Sequence, residues 1–166
     1  MDVNLKIFKR RLTKLAMQPK QPKNNVRALG LDLGTKRIGV AVSDNDGLLA
    51  TPIEVVKRLG DTSKEHLAIE ALVKEWEVEV VVVGVPYSLD GSIGPMAKKA
   101  LTEVKKLDNA LSVPIEICDE RLTTVTAERS LREQGVTSKD GRKVVDQLAA
   151  SILLQTWLDS RRNSED

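Results

Sequence analysis

Four acidic residues stand where an acid has little structural reason to be, and their types suit hard-cation and phosphate chemistry. Asp32 interrupts the apolar run of ALGLDLGTKRIGVAVSD (residues 28–44). Asp119 and Glu120 follow an apolar stretch in DERLTT, and Asp146 stands beside the apolar face of KVVDQLAASILLQTWL. Burying an uncompensated carboxylate is costly, so such residues are paired, hydrogen-bonded or bound to a cation. Carboxylates without histidine or cysteine partners suit Mg²⁺ or Mn²⁺, whose remaining positions take water and phosphate oxygens. Two such ions ~3.5 to 4 Å apart can hold the attacking water and the leaving oxygen of a phosphodiester in line. Lys36, Arg37, Arg121 and Arg142, with Ser88 in the loop YSLDGSIG, are the candidate phosphate contacts. Blander roles compete: Asp32 as the cap of its own turn, Asp146 as a complement to a helix dipole worth about 0.3 to 1 kcal/mol, and the cations as ordinary surface charges. Asp32 precedes the turn and lies inside the apolar run, which argues against the cap. Lys36, Arg37 and Arg121 adjoin the acids.

Other chemistries find little support. The only histidine, His66, falls on a helical segment away from these motifs and reads as a surface residue. That leaves no histidine-based triad or zinc site. A single cysteine, Cys118, excludes an internal disulfide and a cysteine metal cluster, and its apolar setting places it in the core. No GxxxxGK[ST] phosphate loop occurs.

The elements that must position these residues follow from periodicity. Two apolar strands flank the turn Gly34-Thr35-Lys36-Arg37, and residues 48–56, containing Pro52, read as a third, edge strand. A helix over 63–76 has Ser63 as its cap and Leu67, Ile69, Leu72, Val73 and Trp76 as its apolar face. The valine-rich run 78–85 has the character of a parallel strand covered on both faces. A helix over 95–111, a strand over 113–118, and helices over 123–134 and 139–160 complete the order. The last helix presents Val144, Val145, Leu148, Ala149, Ile152, Leu153 and Trp157. The predicted fold is α/β: a three-strand meander and two crossover strands in a mixed sheet flanked by helices. Ligands of such sheets bind beyond the carboxyl ends of the strands, where three of the segments are expected to meet.

At 166 residues the chain suits one domain, here residues 26–160. Aromatics are only 2% of it, so Val, Leu, Ile and Ala must form the core. The net charge of +2 is uneven: residues 1–25 carry +6 and the rest −4. Residues 1–25 read as a flexible basic tail, with a nucleic-acid-binding arm and an amphipathic targeting or membrane-surface segment as rivals. Residues 161–166 read as a polar tail. Lacking an apolar run of about 20 residues or a signal peptide, the protein is expected to be soluble and cytoplasmic.

Four ordered blocks, LGLDLGTKRIGVAVSD, VVVGVPYSLDGSIG, DERLTT and KVVDQLAASILLQTWL, resemble the YqgF family, the RuvX-type proposed Holliday junction resolvases, also described as nucleases of the 16S ribosomal RNA precursor. The resemblance covers about residues 27–159. It implies a ribonuclease H-like fold and a metal-dependent nuclease acting on pre-rRNA or branched DNA. The family's proposed catalytic and metal-binding acids match Asp32, Glu120 and Asp146. Adjacent residues of an extended strand face opposite sides; the resemblance favours Glu120, with Asp119 as the alternate acid. The DLGT turn is also similar to the phosphate loop of actin-like and sugar-kinase ATPases, but those need two such domains. A nucleic-acid-binding factor with little or no catalysis is the stronger rival, because a body of charge −4 is unusual for holding long duplexes. Nucleic acid is the expected partner and no membrane is; monomer and homodimer are both open.

Overall fold

A computed structural model describes residues 25–123 and 139–164. The basic tail and the predicted 123–134 helix lie outside these residues, apart from Asn25 and Thr123. The described elements are β1 (Ala28–Leu33), β2 (Arg37–Ser43), β3 (Ala50–Lys57), α1 (Thr62–Glu75), β4 (Val80–Val85), α2 (Pro95–Ala110), β5 (Ile115–Asp119), a 3₁₀ turn (Glu120–Leu122) and α3 (Lys139–Asn163). The sheet order is β3-β2-β1-β4-β5. β1 to β3 form the antiparallel meander, while β4 and β5 run parallel to β1. This is the predicted α/β mixed sheet.

β1 and β4 are buried almost throughout because helices cover both faces of the sheet. On one face α3 crosses β1, β2 and β3, packing Ala149, Ala150, Leu153, Leu154, Trp157 and Leu158 against Ala28, Ala41, Val82 and Cys118. On the other, Ile69 and Val73 of α1 and Leu107 of α2 cover Leu29, Leu31, Val81 and Val83. β3 is the expected edge strand: its register with β2 slips between Val40 and Ala41, and Pro52 stands opposite Ala41. A proline costs no ladder bond to a further strand there.

Several local expectations are corrected. Asp61, not Ser63, caps α1, accepting from the backbone N–H groups of Ser63 and Lys64. Leu67 is 69% exposed, whereas Glu65 is buried. Arg58 explains the inversion: it pairs with Glu65 at 3.3 Å and with both carboxylate oxygens of Glu103 at 2.6 and 3.1 Å, so Glu65 enters the interior compensated. His66 is half-buried beside them rather than a surface residue, and burial lowers its pKa. On α3, Val144 is 52% exposed, and Ala150, Leu154 and Leu158 join the buried face instead. α3 also continues through Asn163, past the expected end at residue 160.

Candidate active site

The α3 face of the sheet receives three of the candidate acids, Asp32, Glu120 and Asp146. In the β1–β2 ladder Asp32 lies opposite Gly39. A Cβ built on Gly39 would come within 2.1 Å of the Asp146 carbonyl oxygen, so only glycine lets the first turns of α3 settle against β2 beside Asp32. Asp32 is 2% exposed and Asp146 is 7% exposed. Asp146 Oδ2 accepts from Arg37 Nε in a half-buried ion pair that ties the start of β2 to α3.

At the second strand end the pleat sets the direction of Asp119. Cys118 stands opposite Gly84 and Asp119 opposite Val85. Alternation therefore sends Cys118 to the α3 face and Asp119 to the opposite one. Glu120 begins the 3₁₀ turn and aims back toward α3: a Cβ on Gly84 would lie 2.8 Å from Glu120 Oε1 and 3.0 Å from Leu153 Cδ1. A side chain at position 84 would fill the space the glutamate uses. Burial, and secondarily the charge of Asp119, raises the Glu120 pKa above the ordinary glutamate value. The Cys118 thiol is pushed up to about 11 by burial and by both acids, which makes it inert.

Asp119 has a different engagement. It caps the 3₁₀ turn through the Arg121 N–H and holds the Arg121 side chain with contacts of 2.6 to 3.1 Å, which keep its pKa below the ordinary carboxylate range. Arg121 in turn lies 5.8 Å from the centre of the Tyr87 ring and close over Gly91. It braces the loop after β4, where Ser88 accepts from the Gly91 N–H at 2.8 Å.

A cleft of about 470 Å³ opens at the β1–β2 turn, lined by Leu33, Gly34, Thr35, Lys36, Arg37, Met96, Arg142 and Asp146. Three of the predicted phosphate contacts, Lys36, Arg37 and Arg142, thus share one cavity with a candidate acid. Ser88 and Arg121 are not among its walls. Among the described residues, no three acid, histidine or cysteine side chains are grouped tightly enough to hold a metal ion as they stand. The three acids therefore share a face without forming one ligand set in this conformation. What fits a hard divalent cation is the donor chemistry: carboxylates without histidine or cysteine partners, on one covered face. Sequence reasoning missed the Arg37–Asp146 pair, whose members are 109 positions apart.

Comparison with known proteins locates this arrangement. The family model for RuvX, Holliday junction resolvase, matches residues 26–160. A proposed pre-16S rRNA nuclease of Crocosphaera subtropica is 50% identical over 139 residues, covering 84% of this chain and 96% of the relative. A protein of the same name from Mycobacterium ulcerans is 50% identical over 138 residues, covering 82% of this chain and 80% of that one. Among solved structures, Thermus thermophilus RuvC in complex with a Holliday junction substrate aligns with a TM-score of 0.53 at 18% identity, over 84% of this chain and 97% of that one. At that identity the likeness concerns the fold, which is ribonuclease H-like.

Proposed function

From the membership of this chain in the RuvX family of Holliday junction resolvases, we propose that it is a nuclease hydrolysing phosphodiester bonds in structured nucleic acid, with the pre-16S rRNA end as its substrate. The names of the half-identical relatives favour that substrate over branched DNA. The observation that carries the reading is the cleft in which Lys36, Arg37 and Arg142 surround Asp146, on the sheet face that also receives Asp32 and Glu120.

The chain's own residues divide the work by position. Exposed Lys36 and Arg142 meet the phosphate backbone, and such contacts orient the strand and neutralise its charge. Asp32 is fixed by the central strand, so it sets the origin of the site. Glu120, at the start of the 3₁₀ turn, reaches back toward α3 and so brings a further carboxylate to the face on which Asp32 lies. Asp32, Glu120 and Asp146 would together hold Mg²⁺ or Mn²⁺. When bound, such an ion lowers the pKa of water and offsets charge on the phosphate. Asp119 and Arg121 shape the neighbouring loop.

The test incubates the purified protein with a labelled pre-16S rRNA fragment and a labelled four-way DNA junction, in Mg²⁺, Mn²⁺ or EDTA. Cleavage should need the cation and fall to background in Asp32→Asn while the circular dichroism spectrum is retained. Undiminished cleavage in EDTA would refute the metal reading. Binding without cleavage under every condition would favour an RNA-processing factor instead.

A further inference from the structure

Arg58 stands just past the end of β3 and lines neither the cleft nor the acid face. Its backbone N–H donates to the Lys36 carbonyl at 3.0 Å, so its main chain holds the turn that carries Lys36 into the cleft. Its side chain reaches the helices. The two terminal guanidinium nitrogens donate to the two carboxylate oxygens of Glu103 on α2, at 2.6 and 3.1 Å, and one of them also meets Glu65 on α1 at 3.3 Å. Glu103 follows Met96 by about two helical turns, on the same side of α2, and Met96 is a wall of the cleft. We propose that Arg58 is a positioning residue for nucleic-acid binding: by joining the Lys36 turn to α2, it fixes two walls of the cleft relative to each other.

This rests on the reading of that cleft as the phosphate-binding part of a nuclease, and adds to it a residue that touches no substrate. The side chains of Arg58, Glu65 and Glu103 are only 18, 7 and 16% exposed. Stability alone does not account for such a group, because apolar side chains of similar volume would pack α2 on the sheet as well or better. What the fork adds is a fixed direction. Two parallel hydrogen bonds hold α2 at one distance and one angle from the end of β3. Lys36 is exposed and rich in rotamers, so its contact with a phosphate is worth most where the walls leave the strand one path. The two acids differ in what they reach. Glu65 sits on α1, which contributes no described residue to the cleft walls, whereas Glu103 sits on a helix that does.

The experiment measures, by fluorescence anisotropy without divalent cation, the affinity of the full-length protein for a 2′-O-methyl RNA stem-loop over a range of salt. Glu103→Gln and Glu65→Gln each remove one negative charge, which by charge alone would tighten binding. Glu103→Gln should instead weaken it about fivefold, the scale on which residues outside a site modulate it. Glu65→Gln should not weaken it, although both variants should melt lower than the parent. Arg58→Lys, which keeps a charge between the acids but loses the fork, should weaken binding as Glu103→Gln does. In a Lys36→Gln background Glu103→Gln should add little, because the contact it positions is already gone. Equal effects of the two acid variants, or full additivity with Lys36→Gln, would reduce the network to a structural brace and overturn the proposal. Lys36→Gln and Arg142→Gln test the reading beneath it. Parental affinity and salt slope in both would remove the cleft reading and the proposal with it; weakened binding in both, with parental affinity in Glu103→Gln, overturns the positioning role alone.

Discussion

Glu120, one of the proposed site acids, shows how catalysis and stability make opposed demands on one side chain. Its carboxyl is raised by burial against Gly84 and Leu153 and by the charge of Asp119. An acid whose folded pKa exceeds its unfolded one favours the native state at low pH and loses that contribution as pH rises through the folded value. Glu120→Gln, which cannot ionise, should therefore melt higher than the parent at pH 7. The advantage should fade as the pH is taken below the ordinary glutamate value of 4.5, where both proteins carry a neutral group. Calorimetry between pH 4 and 8 reads this directly, and a lower melting temperature for Glu120→Gln at pH 7 would contradict the desolvation account. The same variant should have lost hydrolysis. Asp119 has the opposite sign: Arg121 lowers its pKa, so its contribution is present above the ordinary aspartate value and disappears on acidification. Asp119→Asn should thus release the Arg121 brace and leave the Glu120 carboxyl less raised, without removing it.

At the scale of elements, α3 meets β2 with only a glycine's clearance at position 39. Gly39→Ala forces a methyl group against the Asp146 carbonyl, and the helix must move to receive it. Overpacking of this kind costs about 1 to 3 kcal/mol. Urea unfolding should show that loss, and single-turnover cleavage should fall further than the stability loss explains, because Asp146 shifts with its helix. Parental activity in Gly39→Ala would mean that α3 can slide without disturbing the site. Much of the element order was legible in the sequence because burial writes itself as composition: the valines of β4, the Asp32 run of β1 and Pro52 at the edge. What escaped depends on partners far along the chain. Leu67 looked like core, yet it is Glu65 of the same helix that enters the interior, paired with Arg58. Asp61 and Ser63 are both good caps, and only the backbone decides between them. The candidate acids stood out as misplaced charges, whereas nothing in the spacing of Arg37 and Asp146 announces their pairing.

For the whole molecule, charge and topology make separate statements. Residues 1–25 hold +6 against −4 in the remainder, while among the described residues no helix is long and apolar enough to cross a membrane. Deleting residues 1–25 should weaken nucleic-acid binding and lower the slope of log affinity against log salt by about 0.7 to 0.9 for each phosphate the segment neutralises, as counterion release requires. Identical slopes for the truncated and full-length proteins would show that the segment is no binding arm. The sheet order has a consequence of its own. Asp32 rides on β1, clamped between two neighbours, whereas Glu120 is carried just beyond β5, which has a partner on one side only. Local opening is cheapest at such margins. Amide hydrogens of β5 should therefore exchange with solvent before those of β1. Activity should vanish at a urea concentration where the circular dichroism signal is still native. The enzyme would then be disarmed by fraying of its last strand well before it melts, and refolding would restore catalysis as its final event.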